Sequence, residues 1–337
     1  MGAASTAVTA LGAMGLFGVV ILGREVRAPP LWLTVGVTLL PYLWMAGVAW
    51  IFAVWSGFPD RRTLPVLLGA VVLVGVGLWG PTWAARSETV AGEPLTVMSW
   101  NLRRLWGGPD DGGDPLACAI AAIEAERPDV VTLLEVSRED VDRLGAALGL
   151  SCTHATYHQS GSSTKGGLAS CVRGARWGLE AGSGLRFVDD EDWYYVLSEV
   201  RRADQVFNVL AVHLHPYALH MNDLADISSD VVRVQSDQSA ALLGRVASFK
   251  DPTLVAGDFN STRDAALHAS LRGHLTDVWE RGGAGFGGTV RFLDWVPLRV
   301  DYIYASDAFA IEASRVPDVG CSDHRPVVSD LILRGDR

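Results

Sequence analysis

Thr253-Leu254-Val255-Ala256-Gly257-Asp258-Phe259-Asn260 is the stretch on which the fold turns. Its first four residues are too few for a helix and read as a buried strand, and the glycine ends the run. An acid and an amide follow, two positions apart, so on an extended backbone they point to one side. A carboxylate beside a hydrogen-bonding amide, at a strand end where a sheet meets solvent, can turn a water molecule toward an electrophile. The same letters also describe an ordinary Asx turn after a strand. The weight therefore rests on what the rest of the chain brings to this point.

Upstream, 231–249 has helical spacing, and 193–201 and 205–214 read as two strands joined by the turn 202–204. Residues 153–169 read as two short strands around the Gly/Ser-rich turn 160–167. The apolar run 130–134 is a strand ended by Glu135, 116–126 and 139–148 carry apolar residues at helical spacing, and 95–101 is the first strand. Downstream lie a short helix around 265–271, a Gly-rich loop over 281–289, and strands at 300–304 and 327–333. Strands arranged both as hairpins and in alternation with helices predict an α/β sandwich, with mixed sheets packed on each other and helices outside.

The composition divides the chain in three. Residues 1–86 are strongly apolar and predict a membrane domain. Three runs of spanning length, 3–22, 31–55 and 65–84, hold no charged residue, and about 20 apolar residues suffice to cross the hydrocarbon. Trp32, Trp55, Trp79 and Trp83 fall near the run ends, where an interfacial aromatic belt belongs. A signal peptide accounts for one run but not three, and a buried helical bundle is the soluble alternative. Residues 87–94 read as a linker and 95–337 as an ordinary globular sequence. Loop charge leaves the orientation open: Arg24 and Arg27 on one short loop balance Arg61 and Arg62 on the next, and Arg86 leans toward a cytoplasmic domain. The cysteines lean outward. All four (Cys118, Cys152, Cys171, Cys321) lie in the polar part, and an even number permits disulfides outside the cell. Cys152 and Cys171 are placed to meet across a hairpin; four free buried thiols are the alternative.

Charge argues mildly against nucleic acid. Five of the 28 basic and three of the 38 acidic residues precede residue 90, leaving 23 against 35, a net of −12. Such a domain repels a phosphate backbone unless it carries a basic groove, and no Lys/Arg run longer than a pair appears.

The strand ends are unusually rich in acids, amides and imidazoles. Asn101 ends the first strand, Glu135 the second, His213 and His215 the strand before the third helix, and Asp258 and Asn260 the next. Asp301 lies in Arg299-Val300-Asp301-Tyr302-Ile303, and Ser322-Asp323-His324-Arg325-Pro326 leads into the last strand. Each alone reads as a turn or surface residue. Six on one rim would supply a carboxylate for a hard cation, an acid for water and donors for phosphoryl oxygens. His213, His215 and His220 also suggest a transition-metal site, since positions two apart share a strand face.

These motifs, in this order, resemble the endonuclease/exonuclease/phosphatase (DNase I-like) superfamily. The GDFN and SDHRPV elements are the most specific. The resemblance covers 95–333 and implies a four-layer α/β sandwich, here preceded by three transmembrane helices. It implies a metal-dependent hydrolase of phosphate esters or pyrophosphates. Glu135 would be the principal ligand of Mg²⁺ (Mn²⁺ as an alternative), with Asn101 and Asp323 near the metal. Asp258 would orient and deprotonate water, and Asn260 and Asn101 would hold phosphoryl oxygens. His213 would donate to the phosphate, as would His324, fixed by Asp301, and His215 would touch substrate. The membrane-anchored arrangement is similar to a bacterial subgroup that includes the teicoplanin-resistance protein VanJ. That likeness implies a multi-pass plasma-membrane protein with an extracytoplasmic catalytic domain, a role in antibiotic resistance, and a lipid phosphate such as undecaprenyl pyrophosphate as substrate. An extracytoplasmic nuclease and a non-enzymatic membrane scaffold are the competing expectations.

Overall fold

The computed structural model describes residues 90–105, 113–156, 166–174, 176–187, 194–216, 229–292 and 296–335, with isolated helical positions at 44, 47, 48, 69 and 72. The three predicted membrane spans otherwise lie outside the described residues. Among the described residues no helix is long and apolar enough to cross a membrane.

In chain order the elements are β1 (Gly92–Asn101), a 3₁₀ turn (Arg103–Leu105), α1 (Pro115–Glu126), β2 (Val130–Leu134), α2 (Arg138–Leu148), β3 (Leu150–Thr156) and β4 (Gly167–Arg173). Then come β5 (Gly178–Arg186), β6 (Tyr194–Arg202), β7 (Gln205–His213), α3 (Ser229–Ser248), β8 (Thr253–Asp258), α4 (Ala266–Leu271) and β9 (Thr276–Asp277). The last are α5 (Val278–Gly282), β10 (Val290–Phe292), β11 (Val296–Leu298), β12 (Asp301–Ala305), β13 (Phe309–Arg315) and β14 (Val327–Arg334). Local chemistry sets several boundaries. Asp114 caps α1 by accepting from the Leu116 amide, and Pro115 occupies the first turn. Ser137 caps α2, which closes on Gly149 in the left-handed region.

Two six-stranded mixed sheets carry the fold, ordered β13-β14-β1-β2-β4-β3 and β5-β6-β7-β8-β12-β9. Alternation along the strands sorts side chains into layers. Leu95, Val97 and Val130 from the first sheet meet Val209, Leu254, Ala256 and Ile303 from the second in the central core. On the outer face of the first sheet, Met98, Trp100, Val131 and Leu133 pack against Leu116, Ala119 and Ile123 of α1 and Val141 and Leu144 of α2. On the outer face of the second, Leu210, Val212, Val255 and Tyr304 pack against Leu242 and Val246 of α3 and Leu267 and Leu271 of α4. The result is the expected α/β/β/α sandwich. Apolar residues on both faces of the central strands explain why the sequence reads there as runs rather than alternations.

The elements not expected from sequence are β5, β9, β10, β11, β13 and α5. β5 contains three glycines, and β13 is interrupted by a bulge between Ile311 and Ala313. Both lie at sheet edges, where a strand needs less apolar surface to be held.

Gly257 marks the closest approach of two strands. It has φ +155, and a Cβ there would lie 1.8 Å from the Val212 carbonyl oxygen of neighbouring β7. Gly257→Ala is therefore expected to destabilise the domain by about 3 kcal/mol or more, because backbone, not a flexible side chain, must yield. Chemical denaturation checks this; a midpoint shift worth under about 1 kcal/mol would refute it.

Candidate active site

On β7, β8 and β12 the inward row is apolar until its last position and then turns polar. The inward row of β8 runs Leu254, Ala256, Asp258, that of β7 runs Val209, Ala211, His213, and that of β12 runs back from Ala305 through Ile303 to Asp301. Register then does the assembling: His213 pairs with Asp258, and Asp258 with Asp301, so the three stand side by side across the second sheet. Facing them, Asn101 ends β1 opposite Leu134, and Glu135 follows directly. The polar rim is thus the open end of the cleft between the sheets.

Asn101 spans that cleft. Its Nδ2 donates to Glu135 Oε1 and to Asp258 Oδ2, each at 3.1 Å, while its Oδ1 accepts from the Arg103 amide at 2.9 Å. That last bond fixes which end of the amide faces the acids. His213 Nε2 lies 3.6 Å from Asp258 Oδ2 and 3.9 Å from Glu135 Oε1. His324 Nδ1 is 2.8 Å from Asp301 Oδ2, which leaves Nε2 toward Asp258 Oδ2 at 3.8 Å. A carboxylate on one ring nitrogen sets the tautomer and ring plane. The structure therefore gathers Asn101, Glu135, His213, Asp258, Asp301 and His324 at one place.

The remaining expected residues stand at its margin. β8 ends at Asp258, and Asn260 turns with φ +46, so the two side chains do not share a strand face. Instead the Asn260 amide caps Asp258 Oδ1 at 2.8 Å, and its Nδ2 donates to the Leu214 carbonyl at 2.9 Å. Asp323 is half exposed, 3.3 Å from Arg103. The His215 ring holds the Pro216 carbonyl at 3.0 Å. His220 lies outside the described residues. Glu135 has φ +50, an unfavourable backbone for an L-residue and of the kind that gathers at functional sites.

Burial sets the electrostatics. Asp258 is 1% exposed. Loss of hydration and the neighbouring Asp301 push its carboxyl up to about 6, although His324, His213 and the Asn260 amide pull the other way. At His324 burial opposes the charge, but Asp301 and Asp258 outweigh it and raise the imidazole to about 10. His215 is lowered by burial. Asp258, Asp301 and His324 offer ligand atoms all within 4.8 Å of one another. Asp301 Oδ1 is buried without a hydrogen-bond partner. Crowded, desolvated carboxylates with an oxygen to spare fit a hard divalent cation, and Glu135, the more exposed acid, gives it an entry.

Several supporting residues escaped sequence reading. Gln235 Nε2 donates to the His215 carbonyl at 3.0 Å and lies within reach of the Phe259 and Asn260 carbonyls, and Gln238 Oε1 accepts from the His215 amide at 2.8 Å. Both fall on the buried stripe of α3 with Val232, Leu242 and Val246, so a polar residue at a core position was the available signal. Thr289 Oγ1 accepts from the Val300 and Asp301 amides, each at 3.2 Å. The Trp100 indole donates to the His324 carbonyl at 2.9 Å. Beyond Asn260, buried His268 bridges Ser261 and Tyr304 at 3.0 and 2.8 Å and is kept neutral by burial.

Comparison with known proteins agrees with this geometry. The profile described as "Endonuclease/Exonuclease/phosphatase family" matches residues 98–324. No curated protein matches the chain by sequence. Among solved structures, the endonuclease/exonuclease/phosphatase from Beutenbergia cavernae DSM 12333 is 23% identical with a TM-score of 0.57, covering 72% of each chain. The human Nocturnin catalytic domain with bound sulfate is 19% identical with a TM-score of 0.54, covering 72% of this chain and 96% of that one. ANGEL2, a 2',3'-cyclic phosphatase in complex with adenosine-2',3'-vanadate, is 16% identical with a TM-score of 0.57, covering 74% and 98%. At these identities the likeness is one of fold.

Proposed function

Because the chain belongs to the endonuclease/exonuclease/phosphatase family, we propose that it is a divalent-metal-dependent phosphoesterase whose substrate is a lipid-borne phosphate or pyrophosphate. The observation that carries the reading is convergence on one atom. Asp258 Oδ2 lies 3.1 Å from Asn101 Nδ2, 3.6 Å from His213 Nε2 and 3.8 Å from His324 Nε2. Asp258 takes a proton from water as the water oxygen bonds phosphorus and the ester or anhydride P–O bond breaks; the leaving oxygen departs with the bonding pair, as phosphate from an anhydride or as an alkoxide that takes a proton from solvent. A carboxyl raised to about 6 is ionised at neutral pH yet basic enough for that task. His324, charged and steadied by Asp301, and His213 donate to phosphoryl oxygens as negative charge builds. Asn101 adds an N–H, and Asn260 holds the Asp258 carboxylate in place. Glu135 and Asp301 would hold Mg²⁺ or Mn²⁺, which when bound would supply positive charge against the phosphate. Asp323 is the outer candidate ligand.

The lipid part rests on sequence. Three apolar runs of spanning length precede the domain, as in the membrane-anchored subgroup noted above. An anchored enzyme meets lipid-borne phosphates at high effective concentration. The disulfides described below suit an extracytoplasmic, oxidising compartment.

The test is a substrate panel with the full chain in detergent or vesicles: undecaprenyl pyrophosphate, plasmid DNA and bis-p-nitrophenyl phosphate, with and without chelator. Metal-dependent phosphate release from the lipid is expected. Plasmid nicking alone would make the protein a nuclease, and silence on all three would favour a scaffold. Activity should rise as pH passes up through about 6, when Asp258 ionises, and fall above about 10, when His324 loses its proton. Higher Mg²⁺ should move the acid limb down, since a cation favours the ionised carboxylate. No acid limb between pH 4 and 7 at any Mg²⁺ concentration would remove Asp258 as the base.

A further inference from the structure

The loop between β13 and β14, residues 316–326, brings Asp323 and His324 to the rim and contains no helix or strand. Besides the His324–Asp301 hydrogen bond and the half-exposed Asp323–Arg103 ion pair, four attachments hold it. Ser322 Oγ donates to the Asn101 carbonyl at 2.8 Å, the Trp100 indole to the His324 carbonyl at 2.9 Å, and the Arg325 amide to the Thr289 carbonyl at 2.8 Å. The fourth is covalent: Cys321 is bonded to Cys118 of α1, across 203 residues of chain. Cys321 is fully buried in the outer core with Trp100, Leu102, Leu116 and Ala119. The helix it is tied to is fixed by Leu116, Ala119 and Ile123, so the bond anchors to a rigid element. His324 lies midway between two fixed points, Cys321 and Val327 at the start of β14. Without the bond, the nearest regular element before it is β13, which ends at Arg315.

The second disulfide has different surroundings. Cys152 and Cys171 are directly paired residues of β3 and β4, strands already held by a seven-residue register. It adds a staple where the ladder exists and touches none of the rim residues.

We propose that Cys118 and Cys321 are positioning residues: their disulfide is the strut that holds the His324 loop in register with Asp301 and Asp258, whereas Cys152–Cys171 serves stability alone. A misplacement of about 1 Å in a catalytic group can cost ~10²-fold in rate. The strut therefore acts on turnover more than on substrate capture. The inference rests on the phosphoesterase reading for its kinetic consequence, but not for its structural one.

The experiment compares Cys118→Ala/Cys321→Ala with Cys152→Ala/Cys171→Ala in the full chain at saturating Mg²⁺. Steady-state kinetics use bis-p-nitrophenyl phosphate, and amide hydrogen exchange is followed peptide by peptide. In the first variant kcat should fall tenfold or more with KM within twofold. Exchange over 319–325 should quicken at least tenfold, while β8 and β12 keep wild-type protection. Adding His324→Ala to that variant should cost less than it costs the wild type, since the two changes share one pathway. The second variant should keep kcat within twofold. Wild-type kcat and loop exchange in the first variant would overturn the proposal, as would equal kcat losses in both variants with protection lost throughout. If the wild-type protein turns over no substrate, the functional reading falls and exchange alone decides: quickening confined to 319–325 sustains the strut, and no change removes it. Should the first variant fail to fold, reduction of Cys118–Cys321 in the folded wild type, mapped by mass spectrometry, takes its place with the same outcomes.

Discussion

Asp258→Asn should lower turnover by about 10³-fold while making the metal-free protein more stable at pH 8. The first effect follows from removing the group that accepts the water's proton, a contribution of about 10²–10⁴ in general-base catalysis. The second follows from the sign of the shift. The folded-state carboxyl is raised from 3.8 to about 6, chiefly by loss of hydration and then by Asp301. A raised acid stabilises the fold where it is protonated, fully so below about 4, and that contribution is gone once pH has risen through about 6. Ionised at pH 8, it costs on the order of 3 kcal/mol. Asparagine is neutral at every pH and keeps an oxygen for the Asn260 amide, though Asn101 and His324 lose a charged partner. A net gain of about 1 kcal/mol, or roughly 2–4 °C in Tm, remains. Thermal melts in EDTA and kcat measured in parallel check both. A variant that melts well below wild type, or that retains a tenth of its turnover, would show that Asp258 is chiefly a structural residue.

Glu135→Gln should separate metal binding from folding. Glu135 is the partly exposed acid of the cluster, 3.9 Å from His213 and bonded to Asn101 Nδ2. Glutamine preserves the shape and removes the charge that a hard cation requires. In wild type, Mg²⁺ or Mn²⁺ at a hundredfold excess over Kd adds about 2.7 kcal/mol, roughly 5–10 °C in Tm. The variant should lose most of that increment at equal metal concentration, and turnover should fall ~10²-fold or more. Its Tm in EDTA should match wild type within about 2 °C. An undiminished metal-dependent shift in the variant would move the principal ligand to Asp258 and Asp301, whose oxygens lie together with His324.

How much of this could be read from the letters follows from how each feature is encoded. Strands buried on both faces, such as Val130–Leu134, announce themselves as apolar runs, and an acid or imidazole ending such a run is conspicuous. That local signal suffices to find Asn101, Glu135, His213, Asp258, Asp301 and His324. The supports are encoded differently. Thr289 matters because 11 residues later the Val300 amide needs an acceptor, and Cys118 because Cys321 stands 203 residues away. Neither has a local signature. Asn260 shows a subtler failure: the strand-face argument assumed extension past Asp258, but the acid captures the Asn260 amide and turns the chain there. Short acids and amides compete with the ladder for backbone hydrogens, so strand parity stops being a guide at their position.

The direction of β1 fixes where the chain enters the domain relative to the cleft. The strand enters at Gly92 and delivers Asn101 to the cleft, and β14 returns antiparallel to leave Arg334 beside Gly92. Ten residues of strand measure about 30 Å. The start of β1 and the candidate site therefore lie at opposite ends of the sandwich. Whatever is joined to the chain just before Gly92 is thus kept a strand's length from the reacting groups, so an amino-terminal tag or tether leaves the cleft unobstructed.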